Sequence, residues 1–397
     1  MSYRYDVSIV VVNYNGKKYL KNLFESLIKM ECKDISYEIV LVDNASSDDS
    51  IGFLQSSDYD KKLDLKIVEN KENQGFAEGN NTGVKASEGK YVVFLNSDTA
   101  VTKDWLTQLY SCMVSNNSYG MVASKLLFFY DFIKIRFNTK DNITMAKCVS
   151  INGQDYVIDN KFCKNLLYEE ALICFGHTEI AIPLLEGIKD YTLEFSFMKY
   201  EASNDNIVIG NTVTNINSEK IKVKIQKETI DKLRYAIIQN AGSGINENYD
   251  GYDIGMGDED APSYNVQKEL SSGCGAAIMV KKEDFDEVGG FDQRFFMYYE
   301  DTDLSFKIKN VGKKIIYCPN AVVRHIHTGS SKEWSPFFAY HVYRNKLLFI
   351  YKDISKAIFL KLFFRQFVSA VIHKDKLKLR ATIDSFRIAV FNQKCIY

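Results

Sequence analysis

Residues 7–16 read Val7-Ser8-Ile9-Val10-Val11-Val12-Asn13-Tyr14-Asn15-Gly16. A near-continuous β-branched run of this length marks a strand buried on both faces of a parallel sheet. It stops at a turn, and the apolar positions that follow (Leu20, Leu23, Phe24, Leu27, Ile28) recur at helical spacing. The pattern then repeats. Tyr37–Asp43 is a second buried run ending in an acid, Leu65–Glu69 a third that leads into Asn73-Gln74-Gly75, and Tyr91-Val92-Val93-Phe94-Leu95 a fourth that delivers Asn96-Ser97-Asp98. Strand–helix alternation at this spacing predicts right-handed crossovers and an α/β fold with a parallel sheet. Ligands of such sheets bind beyond the carboxyl ends of the strands. Asn13, Asp43, Asn73 and Asp98 all fall there.

A second acidic site follows about 200 residues later, in Phe295-Phe296-Met297-Tyr298-Tyr299-Glu300-Asp301-Thr302-Asp303-Leu304. Acids in a helix's first turn can simply complement its dipole. Two carboxylate sites far apart in sequence, each at an element's end, also fit a metal and a general base facing one substrate. No G-x-G-x-x-G or G-x-x-x-x-G-K-[ST] follows any of the strands, which argues against dinucleotide oxidoreductases and P-loop enzymes. A nucleoside diphosphate would then be neutralised by a divalent ion, Mg²⁺ or Mn²⁺, on Asp98.

Composition excludes other classes. The 397 residues are 46% hydrophobic and 25% charged with net charge −1, so nothing asks for nucleic acid. Eight cysteines show no C-x-x-C pairing and read as reduced thiols. No leader-like segment and no run of 18 apolar residues occurs, so a cytoplasmic protein is expected.

Between residues 132 and 234 the text changes. Ile133-Lys134-Ile135-Arg136-Phe137, Leu193-Glu194-Phe195-Ser196-Phe197 and Ile221-Lys222-Val223-Lys224-Ile225 alternate with period two, and Asn152-Gly153 between alternating runs is a hairpin signal. An inserted, sandwich-like antiparallel β domain is expected, either a glycan-positioning module or a packing domain. His177 within it reads as structural.

After the insertion, the acidic, Gly-rich run 250–260 lacks ligand spacing and reads as a mobile loop. Ser271-Ser272-Gly273-Cys274-Gly275 carries small residues that let backbone approach a sugar. Cys274 has no histidine near it in sequence, so packing is its expected role. Residues 315–319 and 321–327 read as two short strands, the second carrying His325 and His327. A neutral imidazole suits Mn²⁺. Residues 328–335, with Gly329 and Trp334, read as a closing loop. From Phe337 onward the chain is helical and basic, with twelve Lys/Arg against three Asp. Such a tail either packs on the catalytic part or meets an anionic membrane surface.

In combination, residues 8–15, 42–49, 73–81, 94–99, 271–275 and 301–303 with His325 resemble the GT-A family 2 glycosyltransferases, in particular the bacterial rhamnosyl- and galactofuranosyltransferase-like branch. The resemblance covers roughly residues 5–130 and 236–350. It implies a GT-A nucleotide-binding part (1–131), the insertion (132–234), a GT-A acceptor part (235–335) and a helical basic tail (336–397). It further implies that Asn13 and Tyr14 line the base pocket, that Asp43 accepts from a pyrimidine N3–H, and that Asn73 and Asn96 are nucleotide contacts. Asp98 would be the ligand of a DxD-like motif whose first acid is here the neutral Asn96, and His325 a further metal ligand. Asp301 would be the base, with Glu300 on acceptor or sugar hydroxyls. Ser272, Gly273, Asp303 and Trp334 would lie about donor sugar and acceptor, although Asp303 also reads as a helix cap or as orienting Asp301. Arg344-Asn345 resembles a recurrent pair of the same branch. The expected activity is inverting transfer of a hexose or deoxyhexose, rhamnose among them, from a UDP or dTDP carrier to a saccharide or lipid-linked glycan in surface polysaccharide assembly. A retaining double displacement uses one carboxylate as nucleophile and stays open on residues alone. The rivals are a nucleotidyltransferase, for which Asn13–Lys17 is a poor phosphate loop, and a non-catalytic glycan-binding protein.

Overall fold

The computed structural model describes residues 3–199, 205–326 and 335–392. Expectations resting on His327, the loop 328–334 and Trp334 lie outside the described residues. The chain divides into two compact units, one of residues 1–129, 239–256 and 261–397, the other of residues 130–238 and 257–260.

The first unit is built on a mixed sheet. Its strands run Lys268–Glu269, Lys314–His325, Tyr119–Phe128, Ala277–Lys281, Gly89–Leu95, Tyr5–Asn13, Tyr37–Asp43 and Leu65–Glu69, in that spatial order. The last four are mutually parallel, as the buried runs predict. Ala277–Lys281 enters antiparallel between Gly89–Leu95 and Tyr119–Phe128, so the complete sheet is mixed. The β-branched strands are buried because helices cover the sheet: Leu20, Leu23, Phe24 and Leu27 of Lys17–Ile28 pack with Val7, Ile9, Val11, Ile39 and Leu41. Residues 314–325 form one strand where two short ones were expected. A register shift between Cys318 and Val322 absorbs the irregularity at Pro319, a residue that cannot donate to a ladder.

Three helices close this unit, Pro336–Phe349, Lys356–Ile372 and Lys376–Phe391. Ser335, Ser355 and Asp375 cap them, each accepting from backbone N–H groups of the first turn. Phe349, Phe359, Ile388 and Phe295 share one apolar cluster, so these helices belong to the fold of the unit. None of the described helices is long and apolar enough to cross a membrane.

The second unit holds a nine-stranded, wholly antiparallel sheet. Alternate residues of its strands meet in one core of Ile133, Ile135, Phe137, Val149, Leu193, Phe195 and Val223. The strands are hydrogen-bonded into one sheet, whereas a sandwich has two. Ile151 pairs with Gln154 around Asn152 and Gly153, both at positive φ (50° and 88°), which is the two-residue hairpin that Asn-Gly signals. His177 Nδ1 lies 2.8 Å from Asn138 Oδ1 on the adjacent strand, a structural contact.

Candidate active site

Asn13 and Asp43 are register partners at the carboxyl ends of adjacent parallel strands. Both are buried. Asn13 Nδ2 donates to Asp43 Oδ1 (2.9 Å), and Ser46 donates to both Asp43 oxygens through Oγ (2.6 Å) and N (2.9 Å). Asn13 therefore braces Asp43 from within the fold; Tyr14, 45% exposed, is the open residue of the pair. Asn73 Oδ1 accepts from Gly75 N (2.9 Å), starting the helix Gly75–Ala86.

Asp98 and His325 are separated by 227 residues and joined by a short strand. Thr99–Val101 pairs antiparallel with the end of Lys314–His325, with His325 opposite Thr99, and Ile326 N donates to Asp98 O. This places His325 Nε2 at 3.1 Å from Asp98 Oδ1 and 3.3 Å from the side-chain nitrogen of Asn96. On the other side of the ring, Nδ1 lies 2.9 Å from Gln239 Oε1. With the proton on Nδ1 and donated to Gln239, the Nε2 lone pair faces a carboxylate oxygen. With the proton on Nε2 instead, the ring donates to Asp98 Oδ1. A carboxylate and an imidazole whose far nitrogen is held by an amide oxygen form a donor set that fits a divalent ion. Nothing in the sequence marked Gln239 for this role. Among the described residues no cluster of three or more His, Cys, Asp or Glu side chains surrounds the pair.

Asp301 sits in the first turn of the helix Glu300–Asn310. Its Oδ2 accepts from Gly275 N (2.9 Å) and its Oδ1 from Thr302 N (2.7 Å). Burial nevertheless pushes its carboxyl above the usual range, against those hydrogen bonds. Ala276 O accepts from Asn96 N (3.0 Å), so one loop touches both acidic sites.

Several expected contacts are corrected. Glu300 is 5% exposed, and burial followed by the charge of Asp301 raises its carboxyl well above the usual range. It is a buried acid and not an open contact for hydroxyls. Asp303 is fully buried and paired with Lys307 (2.8 Å) and Lys352, while Lys352 also holds Asp292 (2.7 Å). It anchors the helix and does not face a sugar. Ser272 is buried, with Oγ 3.1 Å from Ser305 Oγ, and a Cβ on Gly273 would meet Met121 Sδ at 2.7 Å. Those small residues serve close packing, which presents the Gly275 N–H to Asp301. The Cys274 thiol is pushed well up by burial and by Asp253 and Asp301, so it stays un-ionised.

The acidic run 250–260 is also more ordered than expected. Gly251–Asp253 pairs with Ser243–Ile245, and Asp253 Oδ1 accepts from Asn240 and from Ser243 Oγ (3.2 Å). Burial raises the Asp253 carboxyl, against the hydrogen bonds from Asn240 and Ser243. Its sequence signal was weak: Gly242 precedes the hairpin and Gly251 opens its second strand, but the surrounding acids mask them.

Residues 8–179 match the family model described as Glycosyl transferase family 2. The poly(ribitol-phosphate) beta-N-acetylglucosaminyltransferase TarS of Staphylococcus aureus is 33% identical over 100 residues, which is 25% of this chain and 17% of TarS. The minor teichoic acid biosynthesis protein GgaB of Bacillus subtilis is 23% identical over 172 residues, 43% of this chain and 19% of GgaB. The chain thus spans less than a fifth of either relative. A crystal structure of GalNAc-T7 with UDP, GalNAc and Mn²⁺ aligns with a TM-score of 0.49 at 14% identity, covering 87% of this chain and 50% of that one. Residues 8–179 are thus similar to the family 2 glycosyltransferases, within a chain built as a mixed α/β unit with an extra antiparallel sheet and C-terminal helices.

Proposed function

We propose that this protein is an inverting glycosyltransferase that moves a hexose or deoxyhexose from a UDP or dTDP carrier to a saccharide or lipid-linked glycan of a surface polysaccharide. One observation carries the reading: His325 Nε2 lies 3.1 Å from Asp98 Oδ1, and the loop 275–276 that touches Asn96 also holds Asp301. The match to the family 2 model and the teichoic acid relatives support it.

Asp301 takes the proton of the attacking acceptor hydroxyl as its oxygen forms a bond to the anomeric carbon. The bond from that carbon to the diphosphate oxygen breaks, and its electron pair leaves with the nucleotide. A raised carboxyl is a stronger base than an ordinary one, at the cost of needing a higher pH to ionise. A divalent cation, when bound, would be held by Asp98 and His325 and would offset charge on the leaving diphosphate. Asp43, braced by Asn13, and Tyr14 would receive the pyrimidine, with Asn73 and Asn96 nearby.

A second element of the proposal is contact with the inner face of the cytoplasmic membrane. Leu360, Phe364, Val368, Val371 and Ile372 are exposed along Lys356–Ile372, with Phe364 at 60% and Ile372 at 68%. Lys356, Lys361, Arg365 and Lys374 are exposed beside them. Exposed apolar residues flanked by cations suit an anionic lipid surface.

The test is a thermal-shift panel of UDP, dTDP, GDP and CDP sugars with and without Mn²⁺ or Mg²⁺. A metal-dependent rise with a pyrimidine diphosphate sugar, lost in Asp98→Ala, is expected. Folded protein unmoved by every nucleotide would refute the reading.

A further inference from the structure

The backbone leading into Asp301 is unusual. Phe296, Tyr298 and Tyr299 have φ of 64°, 70° and 71°, a positive-φ backbone that bulky side chains rarely adopt. Such a conformation persists only where its surroundings impose it. Here every carbonyl from Arg294 to Tyr298 is engaged. Arg344 Nη2 donates to Arg294 O (3.1 Å) and Phe295 O (2.6 Å), and Asn345 Nδ2 to Phe295 O (2.8 Å), Met297 O (2.8 Å) and Tyr298 O (2.7 Å). Phe296 O, which points the other way, accepts from Phe76 N (2.7 Å) and Ala77 N (3.2 Å) at the start of Gly75–Ala86. Arg344 Nε donates to Asn345 Oδ1 (2.7 Å), which fixes the amide with its N–H groups toward the loop.

Both donors are fully buried in Pro336–Phe349. The same helix face supports the loop's side chains. His341 stacks on Phe296 (5.4 Å, 15°), Phe338 meets Tyr298 (4.8 Å), and Phe349 meets Tyr299 (6.0 Å). Gly75 leaves room on the opposite side, since a Cβ there would lie 2.5 Å from Phe296 O. The loop is therefore gripped between two helices that are more than 250 residues apart in the chain.

We propose that Arg344 and Asn345 are positioning residues that hold residues 294–298 in this conformation and thereby set Asp301 against the Gly275 N–H and the reacting hydroxyl. The inference rests on the reading of Asp301 as base. Neither residue touches substrate; both act through the loop's carbonyls, which no substitution in the loop itself can supply.

The test uses Asn345→Ala in the full chain, with two readouts. Amide hydrogen exchange is expected to accelerate at Phe76, Ala77 and Gly275 and to stay unchanged in the strand Tyr5–Asn13. Release of UDP or dTDP from the sugar nucleotide that the wild type turns over is expected to fall about 100-fold, the scale of an ångström-sized misplacement, while UDP affinity holds. Should Asn345→Ala not fold, Asn345→Asp keeps the volume while exchanging the amide donors for a carboxylate beside Arg344. Unchanged exchange at those three amides would overturn the proposal. So would a uniform acceleration that abolishes UDP binding, since that is a merely structural role. Asp301→Asn run alongside separates the two readings: full turnover there refutes the base, while the exchange data still decide the clamp.

Discussion

Backbone and amide neighbours orient His325 and Asp301. Gln239 fixes the ring that faces Asp98, and the Gly275 N–H fixes the carboxylate of Asp301. Because burial raises the Asp301 carboxyl, the base form is lost at a higher pH than for a free aspartate. The acid limb of kcat/KM for sugar-nucleotide turnover is therefore expected above about 4, the ordinary Asp value, and to disappear in Asp301→Asn. Glu300 gives a stability prediction of definite sign. Its folded-state carboxyl is raised, so folding is favoured at low pH and penalised as pH rises above the unfolded value. Glu300→Gln removes that penalty. Its melting temperature is expected to exceed wild type at pH 7, with the gain shrinking toward pH 4.5; an equal gain at both would contradict it.

The helix Glu300–Asn310 is tied down by an ion network that its sequence only hints at. Burial opposes ionisation of Asp292, yet Arg294 and Lys352 hold its carboxyl far below the usual range, and Asp303 shares Lys352. Lys352→Met leaves buried carboxylates short of a partner, and the expected loss is about 3–5 kcal/mol in denaturant titration at pH 7. Since the Asp292 value is depressed, its contribution is present above about pH 4 and is lost as pH falls further, so the mutant and wild-type curves should converge in acid. Gly75→Ala presses on Phe296 O and takes φ of 78°, so a loss of at least about 1 kcal/mol is expected by the same titration. At this scale the sequence was readable where periodicity is long. Tyr37–Asp43 and Leu65–Glu69 could be bounded to the residue because turns and acids punctuate them. It was silent where the structure depends on three-residue strands, as at Thr99–Val101, or on positive φ at aromatic residues such as Phe296. Neither leaves a compositional trace. Periodicity left Asp98 and His325 as separate candidates, and only the family resemblance joined them at one metal, because a single antiparallel pairing brings them together.

For the whole molecule, residues 8–179 are similar to the family 2 glycosyltransferases, and the C-terminal helices add an exposed apolar face of their own. The apolar face of Lys356–Ile372 predicts binding to vesicles of phosphatidylglycerol and phosphatidylethanolamine in flotation assays. Leu360→Ser with Phe364→Ser should abolish it without altering UDP affinity; equal binding to purely zwitterionic vesicles would remove the electrostatic part of the idea. The most direct trial of the catalytic assignment is release of nucleoside diphosphate from UDP and dTDP sugars in Mn²⁺, compared between wild type and Asp301→Asn. Loss of turnover by at least about 100-fold, with UDP binding intact, is the expected result. Undiminished release by Asp301→Asn would contradict it.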